Sequence, residues 1–350
     1  MEIKELLITT KEKDASDLHL NVGIPPVLRI NGRLAKLDLA ELTPEITHGM
    51  IYSILNEQQK SDFEKYGELD LSYELANVAR FRINLFKHRR GEGAAFRLVP
   101  EKIKTLSELG LPSILSDFAE KDKGLVLVTG PTGSGKSTTI AALIDIINKK
   151  KHVNIITIED PIEFIHSHIN CLVSQREIGS HTKSFASALR NALREDPDVI
   201  LVGEMRDLET ISMALTAAET GHLVFSTLHT IDAAETVERI IDVFPPHQQN
   251  QVRMQLAGSL QGVIAQTLLP TLDDAGRVAA IEIMIANPAI RNLIREGKTH
   301  QIPSTIQTSK KDGMQSLDQS LKDLVMEDKI SREDAMKKAI DKKAFMERQY

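Results

Sequence analysis

Two hydrophobic patterns divide the chain, and each predicts a different kind of sheet. In the first hundred residues apolar and polar positions alternate, as in 17–22 and 79–86, which predicts half-buried strands of a mostly antiparallel sheet. Later, apolar residues run almost without interruption through 124–129, 154–159, 197–202 and 222–228. Such runs are typical of parallel strands covered on both faces. The chain is therefore predicted to be an α/β protein with two differently built domains.

Turn-forming and polar residues between these segments indicate where the elements and domains end. Asn31-Gly32 between two short apolar segments predicts a tight hairpin. Helices are expected near 44–55 and 57–65, and further strands near 69–74 and 93–99. We predict four successive regions. Residues 1–99 form an N-terminal α+β domain, and 100–105 form a polar linker that begins with proline. Residues 106–288 form a second α/β domain, with an amphipathic helix near 207–219, and 289–350 form a charged helical region.

Composition narrows the classes of protein that remain. The chain has 350 residues and a net charge of -6, so it has no global charge signature of nucleic-acid binding. Its single cysteine, Cys171, lies in an apolar run and is expected in the core, which excludes internal disulfides and a cysteine-based zinc site. No apolar run approaches the roughly 20 residues that span a bilayer, and the charged N-terminus is unlike a signal peptide. We therefore expect a cytoplasmic protein without a transmembrane segment.

The strongest chemical signal follows the strand at 124–129. It fits the phosphate-binding pattern G-x-x-x-x-G-K-[S/T] and reads Gly130, Pro131, Thr132, Gly133, Ser134, Gly135, Lys136, Ser137, with Thr138 next. Between a strand and a helix, the glycines let backbone N–H groups surround the β-phosphate. Lys136 can reach the β- and γ-phosphates, and the Ser137 hydroxyl can bind Mg²⁺. The loop predicts binding of a nucleoside triphosphate with Mg²⁺.

Acidic residues follow two other apolar strands. Glu204 ends the strand at 197–202 and is our predicted general base, which orients or deprotonates the attacking water. The position before it, commonly Asp in P-loop proteins, is Gly203. Glu159, Asp160 and Glu163 follow the strand at 154–159 and would repel one another without a nearby cation or arginine. We predict Glu159 and Asp160 near Mg²⁺ and Glu163 as catalytic, against the alternative of a polar strand-to-loop junction.

Histidines and arginines supply the remaining candidates. His222 and His229 bracket one strand, roughly 23 Å apart when extended, so both cannot reach one phosphate. His229, at the carboxyl end, can donate a hydrogen bond to the γ-phosphate, whereas His222 serves packing or a neighbouring contact. Arg80 and Arg82 share a face of the N-terminal domain, where they either stabilise a triphosphate or are ordinary surface arginines. Arg97 is a weaker candidate of the same kind.

These motifs, in this order, resemble those of the secretion-type traffic ATPases, and in particular the type IV pilus retraction branch. The resemblance covers nearly the whole chain and rests on 15–20, 130–138, 158–164, 193–198, 200–207, 220–229 and 289–296. The last segment, Ala289–Glu296, looks like the motif of the retraction branch. Gly203 agrees with this family, although it departs from the general P-loop pattern.

The resemblance implies a PAS-like N-terminal domain, a RecA-like ATPase core and a helical C-terminal region. It further implies that ATP and Mg²⁺ are the cofactors, that the chain forms a homo-hexameric ring, and that Arg80 and Arg82 complete the nucleotide site. The implied partner is an inner-membrane pilus platform protein, through which a cytoplasmic motor retracts pili and drives twitching motility.

Several alternatives stay open. The pilus extension and type II secretion ATPases share the motor but usually carry a four-cysteine zinc element and a longer N-terminal region. An accessory retraction ATPase is harder to separate. The charge and the lack of tryptophan argue against a RecA-type nucleic-acid translocase. Glu204 argues against a switch that does not hydrolyse nucleotide.

Overall fold

The computed structural model describes residues 2–30, 32–76, 78–100, 102–273 and 276–342. The chain divides into two compact units, Met1–Lys102 and Ile103–Tyr350. The division falls within the predicted linker at 100–105. Among the described residues, no helix is both long enough and apolar enough to cross a membrane.

The first unit combines an antiparallel sheet with three helices. Its strands are β1 (Asp17–Asn21), β2 (Val27–Ile30), β3 (Arg33–Lys36), β4 (Glu68–Leu75), β5 (Ala79–His88) and β6 (Gly91–Leu98). The helices are α1 (Ile3–Glu12), α2 (Pro44–Tyr52) and α3 (Glu57–Tyr66). The sheet order is β3-β2-β1-β6-β5-β4, with every neighbouring pair antiparallel. The predicted strands and the helices α2 and α3 are confirmed, whereas α1 was not predicted. Asn31 of the predicted hairpin turn lies outside the described residues.

The alternating pattern of β5 sorts its side chains between two faces. Phe81, Ile83 and Leu85 are fully buried and pack in one cluster with side chains of α1, α2 and α3. Arg82 and Asn84, on the opposite face, are exposed. The strand therefore buries one face and presents polar groups on the other, as the sequence predicts.

The second unit contains seven strands and ten α-helices among its described residues. The strands are β7 (Gly124–Thr129), β8 (Asn154–Glu159), β9 (Leu172–Glu177), β10 (Val199–Val202), β11 (Leu223–Leu228), β12 (Leu260–Pro270) and β13 (Arg277–Ile285). The first six helices are α4 (Ser116–Ala119), α5 (Lys136–Lys150), α6 (Phe185–Ala192), α7 (Leu208–Glu219), α8 (Ala233–Asp242) and α9 (Pro246–Ser259). The last four are α10 (Pro288–Glu296), α11 (Ile302–Thr308), α12 (Leu317–Met326) and α13 (Arg332–Lys338).

The sheet of this unit has the order β13-β12-β7-β11-β10-β8-β9. All neighbours are parallel except β12 and β13, which form an antiparallel pair at one edge. The four predicted parallel strands are confirmed, although β10 begins at Val199 and β11 at Leu223. Strands β9, β12 and β13 were not predicted.

Helices cover both faces of this sheet, which explains its uninterrupted apolar strands. Leu125, Leu127 and Ile200 contribute to a core with α6 to α10, whereas Val126 and Leu201 contribute to the opposite core with α4 and α5. The predicted burial of Cys171 is confirmed, and its Sγ lies 3.1 Å from the Lys151 carbonyl oxygen.

The helix predicted near 207–219 is present as α7. Ile211, Leu215 and Ala218 are buried, whereas Leu208 is 39% exposed, because it is the first residue of the helix and precedes the turns that pack on the core. The helical character predicted for 289–350 is confirmed as far as Lys338 by α10 to α13, and residues 343–350 lie outside the described ones.

Candidate active site

The parallel topology gathers most of the predicted site residues at one edge of the second unit's sheet. Strand β7 leads into the phosphate loop, and its neighbour β11 ends beside His229. The next strand, β10, leads to Glu204, and β8 beyond it leads to Glu159, Asp160 and Glu163. Because the carboxyl ends of parallel strands meet at one edge, motifs about a hundred residues apart become neighbours.

The phosphate loop is shaped by glycines in left-handed or otherwise positive-φ conformations. Gly130, Gly133 and Gly135 have φ angles of 139°, 76° and 88°, which other residues adopt only with strain. Gly135 is the N-cap of α5 and provides no capping side chain. The first N–H groups of α5, including those of Ser137 and Thr138, lack helical partners and suit an anion.

Lys136 lies folded over the loop at the start of α5. Its Nζ donates to the carbonyl oxygens of Gly130 at 2.9 Å and Pro131 at 3.1 Å. Burial lowers the pKa of Lys136, and the charges of Glu204 and Glu163 partly offset that change. The structure therefore brings Lys136, Glu204 and Glu163 within electrostatic range of one another.

Glu204 is held by two cationic or ionisable side chains. Arg206 Nη2 donates to Glu204 Oε2 at 2.7 Å, and His229 Nε2 lies 3.1 Å from Glu204 Oε1. Burial acts to raise the pKa of Glu204, but these two neighbours outweigh it and the net pKa is lowered. The sequence predicted Glu204 and His229 separately and missed Arg206, whose only signal was a charge two positions beyond the base.

The glycine before Glu204 stands where two strands approach closely. A Cβ at Gly203 would lie 3.2 Å from the Ile158 carbonyl oxygen and 3.3 Å from the Glu159 Cα. The Gly203 carbonyl also accepts a hydrogen bond from Thr227 Oγ1 at 2.6 Å. A side chain at this position would therefore press on the main chain of β8, a contact that glycine avoids.

The three acids after β8 have different surroundings. Glu159 Oε1 accepts hydrogen bonds from Thr157 Oγ1 at 2.6 Å and Gln175 Nε2 at 3.2 Å, and burial raises its pKa. Asp160 and Glu163 are exposed. Within the described ranges, no three His, Cys, Asp or Glu side chains converge to hold a metal. The metal role of Glu159 stays a prediction.

A further carboxylate, missed in the sequence, supports the loop that carries Glu163. Glu177 at the end of β9 is buried, and its Oε2 accepts a hydrogen bond from the Ile162 N–H at 3.1 Å. Its Oε1 accepts a hydrogen bond from Ser180 Oγ at 3.2 Å. Glu177 therefore fixes the backbone immediately before Glu163.

His222 lies at the opposite end of β11 from His229. Its Nδ1 is 2.9 Å from the Ala217 carbonyl oxygen at the end of α7, and its own carbonyl accepts a hydrogen bond from the Gly124 N–H. The sequence left open whether His222 serves packing or a neighbouring contact. Both of these contacts are packing contacts within the chain.

The arginine candidates belong to the first unit. Arg82 is exposed on β5, and Arg80 on the same strand is half-buried. Arg82 stands directly opposite Arg97 of β6 in the strand register. Arg97 Nε donates to the buried carboxylate of Asp17 at 2.9 Å, so Arg97 has a structural role within its own unit.

Comparison with known proteins identifies the family. Residues 65–278 match the family described as type II/IV secretion system protein. The chain is 55% identical to the type IV pilus retraction ATPase PilT of Pseudomonas aeruginosa over 97% of this chain and 98% of that protein. It is 54% identical to a twitching motility protein of Neisseria gonorrhoeae over 90% of this chain and 84% of that one.

A solved structure agrees with these sequence relationships. The crystal structure of the pilus retraction motor PilT with bound ADP superposes with a TM-score of 0.92 at 50% identity, covering 98% of both chains. The α/β fold with its two sheets is thus the fold of that motor. The chain belongs to the type II/IV secretion system protein family, within the group that includes the pilus retraction motors, and it is an ATPase.

Proposed function

We propose that the chain is the ATP-hydrolysing motor of type IV pilus retraction, which withdraws pilin subunits and drives twitching motility. The observation that carries this proposal is the identity to the retraction ATPase PilT across almost the whole of both chains. The presence of the Ala289–Glu296 segment as helix α10 adds support for the retraction branch.

The phosphate loop fits the nucleotide that the PilT structure contains. The loop leaves open space beside Gly133, since a Cβ there would meet no atom within 4 Å. Lys136 is already turned onto the loop, and replacing its carbonyl contacts with phosphate oxygens would give it charged partners. We assign ATP to this loop, with phosphates on the N–H groups of residues 133–138.

Mg²⁺ fits the same end of α5 as a partner of the nucleotide. Among the described residues no three His, Cys, Asp or Glu side chains converge, and we propose that the ion depends mainly on phosphate oxygens and water, as Mg²⁺ commonly does. The Ser137 hydroxyl is the proposed protein ligand, and Glu159 and Asp160 are the acids proposed to act near the ion. When bound, Mg²⁺ neutralises charge that develops on the transferred phosphoryl group.

Glu204 is suited to orient the attacking water. Its lowered pKa keeps the carboxylate ionised at neutral pH, so it accepts a hydrogen bond from water and points the oxygen lone pair at the γ-phosphate. We assign His229, whose Nε2 lies 3.1 Å from Glu204 Oε1, the role of donor to that phosphate. Glu163 is also assigned to catalysis, and its negative charge acts to raise the pKa of Lys136 against the effect of burial.

We also propose a finer architecture on the basis of the family resemblance. The first unit is assigned a PAS-like fold and the second a RecA-like fold, with boundaries at 1–99, 100–105, 106–288 and 289–350. In a homo-hexameric ring, Arg80 and Arg82 would complete a nucleotide site. Loss of the γ-phosphate would then remove charge-assisted contacts of about 1.5–3 kcal/mol each and allow a hinge motion at the linker. The expected partner is the inner-membrane platform protein, contacted from the cytoplasm.

Replacement of Leu293 by alanine tests whether the motor drives retraction. Leu293 is half-buried in α10, between the fully buried Ile290 and Ile294. We expect Leu293→Ala cells to assemble pili but not retract them, while the purified protein keeps its ATP turnover. Ile294→Ala is the matched control for simple loss of folding.

Three outcomes would contradict the proposal, and a fourth would contradict its hinge motion. Cells without pili would indicate an extension ATPase, and retraction that persists beside a second motor would indicate an accessory role. Salt-sensitive stimulation of ATP turnover by DNA would favour a nucleic-acid translocase. An unchanged interdomain angle with ATP analogue, with ADP and without nucleotide would refute the hinge.

A further inference from the structure

One buried side chain connects the phosphate loop to a strand that the sequence motifs do not include. Gln266 of β12 is 3% exposed, and its Nε2 donates to the Ser134 carbonyl oxygen at 2.6 Å. Its Oε1 accepts a hydrogen bond from Thr139 Oγ1 at 2.9 Å. Ser134 and Thr139 are each 2% exposed, so water cannot replace these bonds without opening the structure.

The backbone around Gln266 also contacts the two ends of the loop. A Cβ at Gly130 would stand 2.2 Å from the Gln266 carbonyl oxygen, and one at Gly135 would stand 3.1 Å from Gln266 Nε2. The first glycine of the pattern therefore lies against the main chain of β12, and the last against its side chain. Two of the loop glycines are constrained by this residue as well as by their φ angles.

We propose that Gln266 is a positioning residue that holds the phosphate loop in its nucleotide-binding shape before nucleotide arrives. The inference rests on the proposed function, since it requires that this loop bind ADP or ATP. Gln266 would touch no phosphate and would act only through Ser134 and Thr139.

The chemistry of an amide explains why this position is glutamine. The site needs a donor for the Ser134 carbonyl and an acceptor for the Thr139 hydroxyl on one planar group. A glutamate would set a carboxylate oxygen against the Ser134 carbonyl, and a methionine would fill the space without either bond. A glycine-rich loop that loses this bond gains conformational freedom, which nucleotide must remove on binding.

The same strand provides a matched control at its other end. Gln261 Nε2 donates to the Lys123 carbonyl oxygen at 2.8 Å, just before the start of β7 and away from the loop. Gln261→Met removes one exposed bond to a carbonyl from the same strand, whereas Gln266→Met removes two buried bonds. Gln261→Met therefore shows what the loss of a glutamine bond away from the loop does, and ADP affinity measured while each variant is folded separates loop shape from stability.

The experiment is titration of the full chain with a fluorescent ADP analogue, well below the unfolding temperature of each variant. We expect Gln266→Met to raise the Kd for ADP about tenfold, and Gln261→Met to change it less than about twofold. The rise in unfolding temperature caused by ADP should shrink only in Gln266→Met. Equal Kd values for Gln266→Met and the parental chain, or equal losses in both variants, would overturn the proposal.

A second pair of variants decides the question if Gln266→Met fails to fold. Thr139→Val removes the hydroxyl that donates a hydrogen bond to Gln266 Oε1, whereas Thr139→Ser retains it. We expect Thr139→Val to weaken ADP binding several-fold more than Thr139→Ser, and equal effects would refute the positioning role. If the parental chain binds no ADP while a control ATPase does, the proposed function fails, and this inference fails with it.

Discussion

The two sheets of this protein place their charged side chains differently. In the first unit the charges stand on a face: Arg82, Arg97 and Asp17 lie side by side across three neighbouring strands. In the second unit helices cover both faces, and the acids and histidine of the candidate site cluster where parallel strands end. An antiparallel sheet with one packed face can present charge along its strands, whereas a doubly covered parallel sheet presents it mainly at an edge.

This difference separates two kinds of functional residue. Edge residues such as Glu204 and Lys136 are brought together by topology, because neighbouring strands end at the same place. Face residues such as Arg82 are placed by alternation within one strand, and need another surface to act on. Substitution at the edge should therefore remove the chemistry, whereas substitution on the face should weaken an assembled site.

The largest effect is expected at Glu204. Glu204→Gln removes the carboxylate proposed to orient water and should lower the kcat for ATP hydrolysis about 10²- to 10⁴-fold, with ADP affinity nearly unchanged. Steady-state kinetics and ADP titration would measure the two separately. Glu209→Gln, on the exposed start of α7, is the control, and hydrolysis by Glu204→Gln at the parental rate would remove Glu204 as the base.

The next largest effect is expected from replacing Lys136 in the phosphate loop. Lys136→Ala should lower turnover about 10²- to 10³-fold and also weaken nucleotide binding, because the ammonium contacts phosphate in both ground and transition states. Lys149→Ala at the other end of α5, where Lys149 pairs with Asp145, should leave both unchanged. Parental kinetics for Lys136→Ala would refute the site.

Glu282 is an exception to the placement of charge at the edge of the second sheet, because its carboxyl group lies in the interior of that unit. It is 5% exposed on β13, and its Oε1 accepts a hydrogen bond from the Ala233 N–H at 2.8 Å. Burial raises its pKa to about 7, and the charges of Asp232 and Asp318 add to the rise. Because the pKa of Glu282 is higher in the folded chain than in the unfolded chain, its protonated carboxyl favours folding. That contribution to the unfolding free energy is complete below about pH 4.5 and is lost as pH rises through 7.

Glu282→Gln should remove that pH dependence while keeping an acceptor for Ala233. We expect the difference in unfolding free energy between the parental chain and Glu282→Gln to change by up to about 3 kcal/mol between pH 5 and pH 8. Urea unfolding of both chains across this range would measure it. Parallel stability curves would show that Glu282 is ionised throughout.

The smallest effects are expected on the face of the first unit. Arg82→Ala should reduce kcat about 10- to 100-fold with little change in stability. Arg97→Ala should instead destabilise the first unit by about 1–2 kcal/mol, because it leaves the buried Asp17 carboxylate with a weaker set of partners. Kinetics and thermal unfolding of the pair would distinguish them. Identical behaviour of the two variants would mean that both arginines have only a surface role.

Sequence reasoning succeeded where one local signal specified one structure. The uninterrupted apolar runs identified β7, β8, β10 and β11, and the loop pattern fixed the start of α5. Strand β9 was not predicted because four of its six residues are polar or charged and it lies at the sheet edge. Strand β12 was not predicted because it begins directly where α9 ends, with no turn residue between them.

Those missed strands carry the supporting residues that the sequence did not reveal. Gln175 and Glu177 stand on β9, Gln266 on β12 and Glu282 on β13. Their partners are backbone groups or hydroxyls from distant parts of the chain, and no spacing in the sequence encodes such pairings. The sequence motifs therefore named the candidate reactive residues but not the residues that support them.

The tight approach at Gly203 limits how this protein can change. An aspartate there would place its Cβ 3.2 Å from the Ile158 carbonyl oxygen and 3.3 Å from the Glu159 Cα, so the main chain of β8 would have to move by a few tenths of an ångström. That movement would act on the hydrogen bond from the Gly203 N–H to the Ile158 carbonyl, next to Glu204. An aspartate at this position is therefore accommodated only as far as the main chain of β8 can give way beside the proposed base.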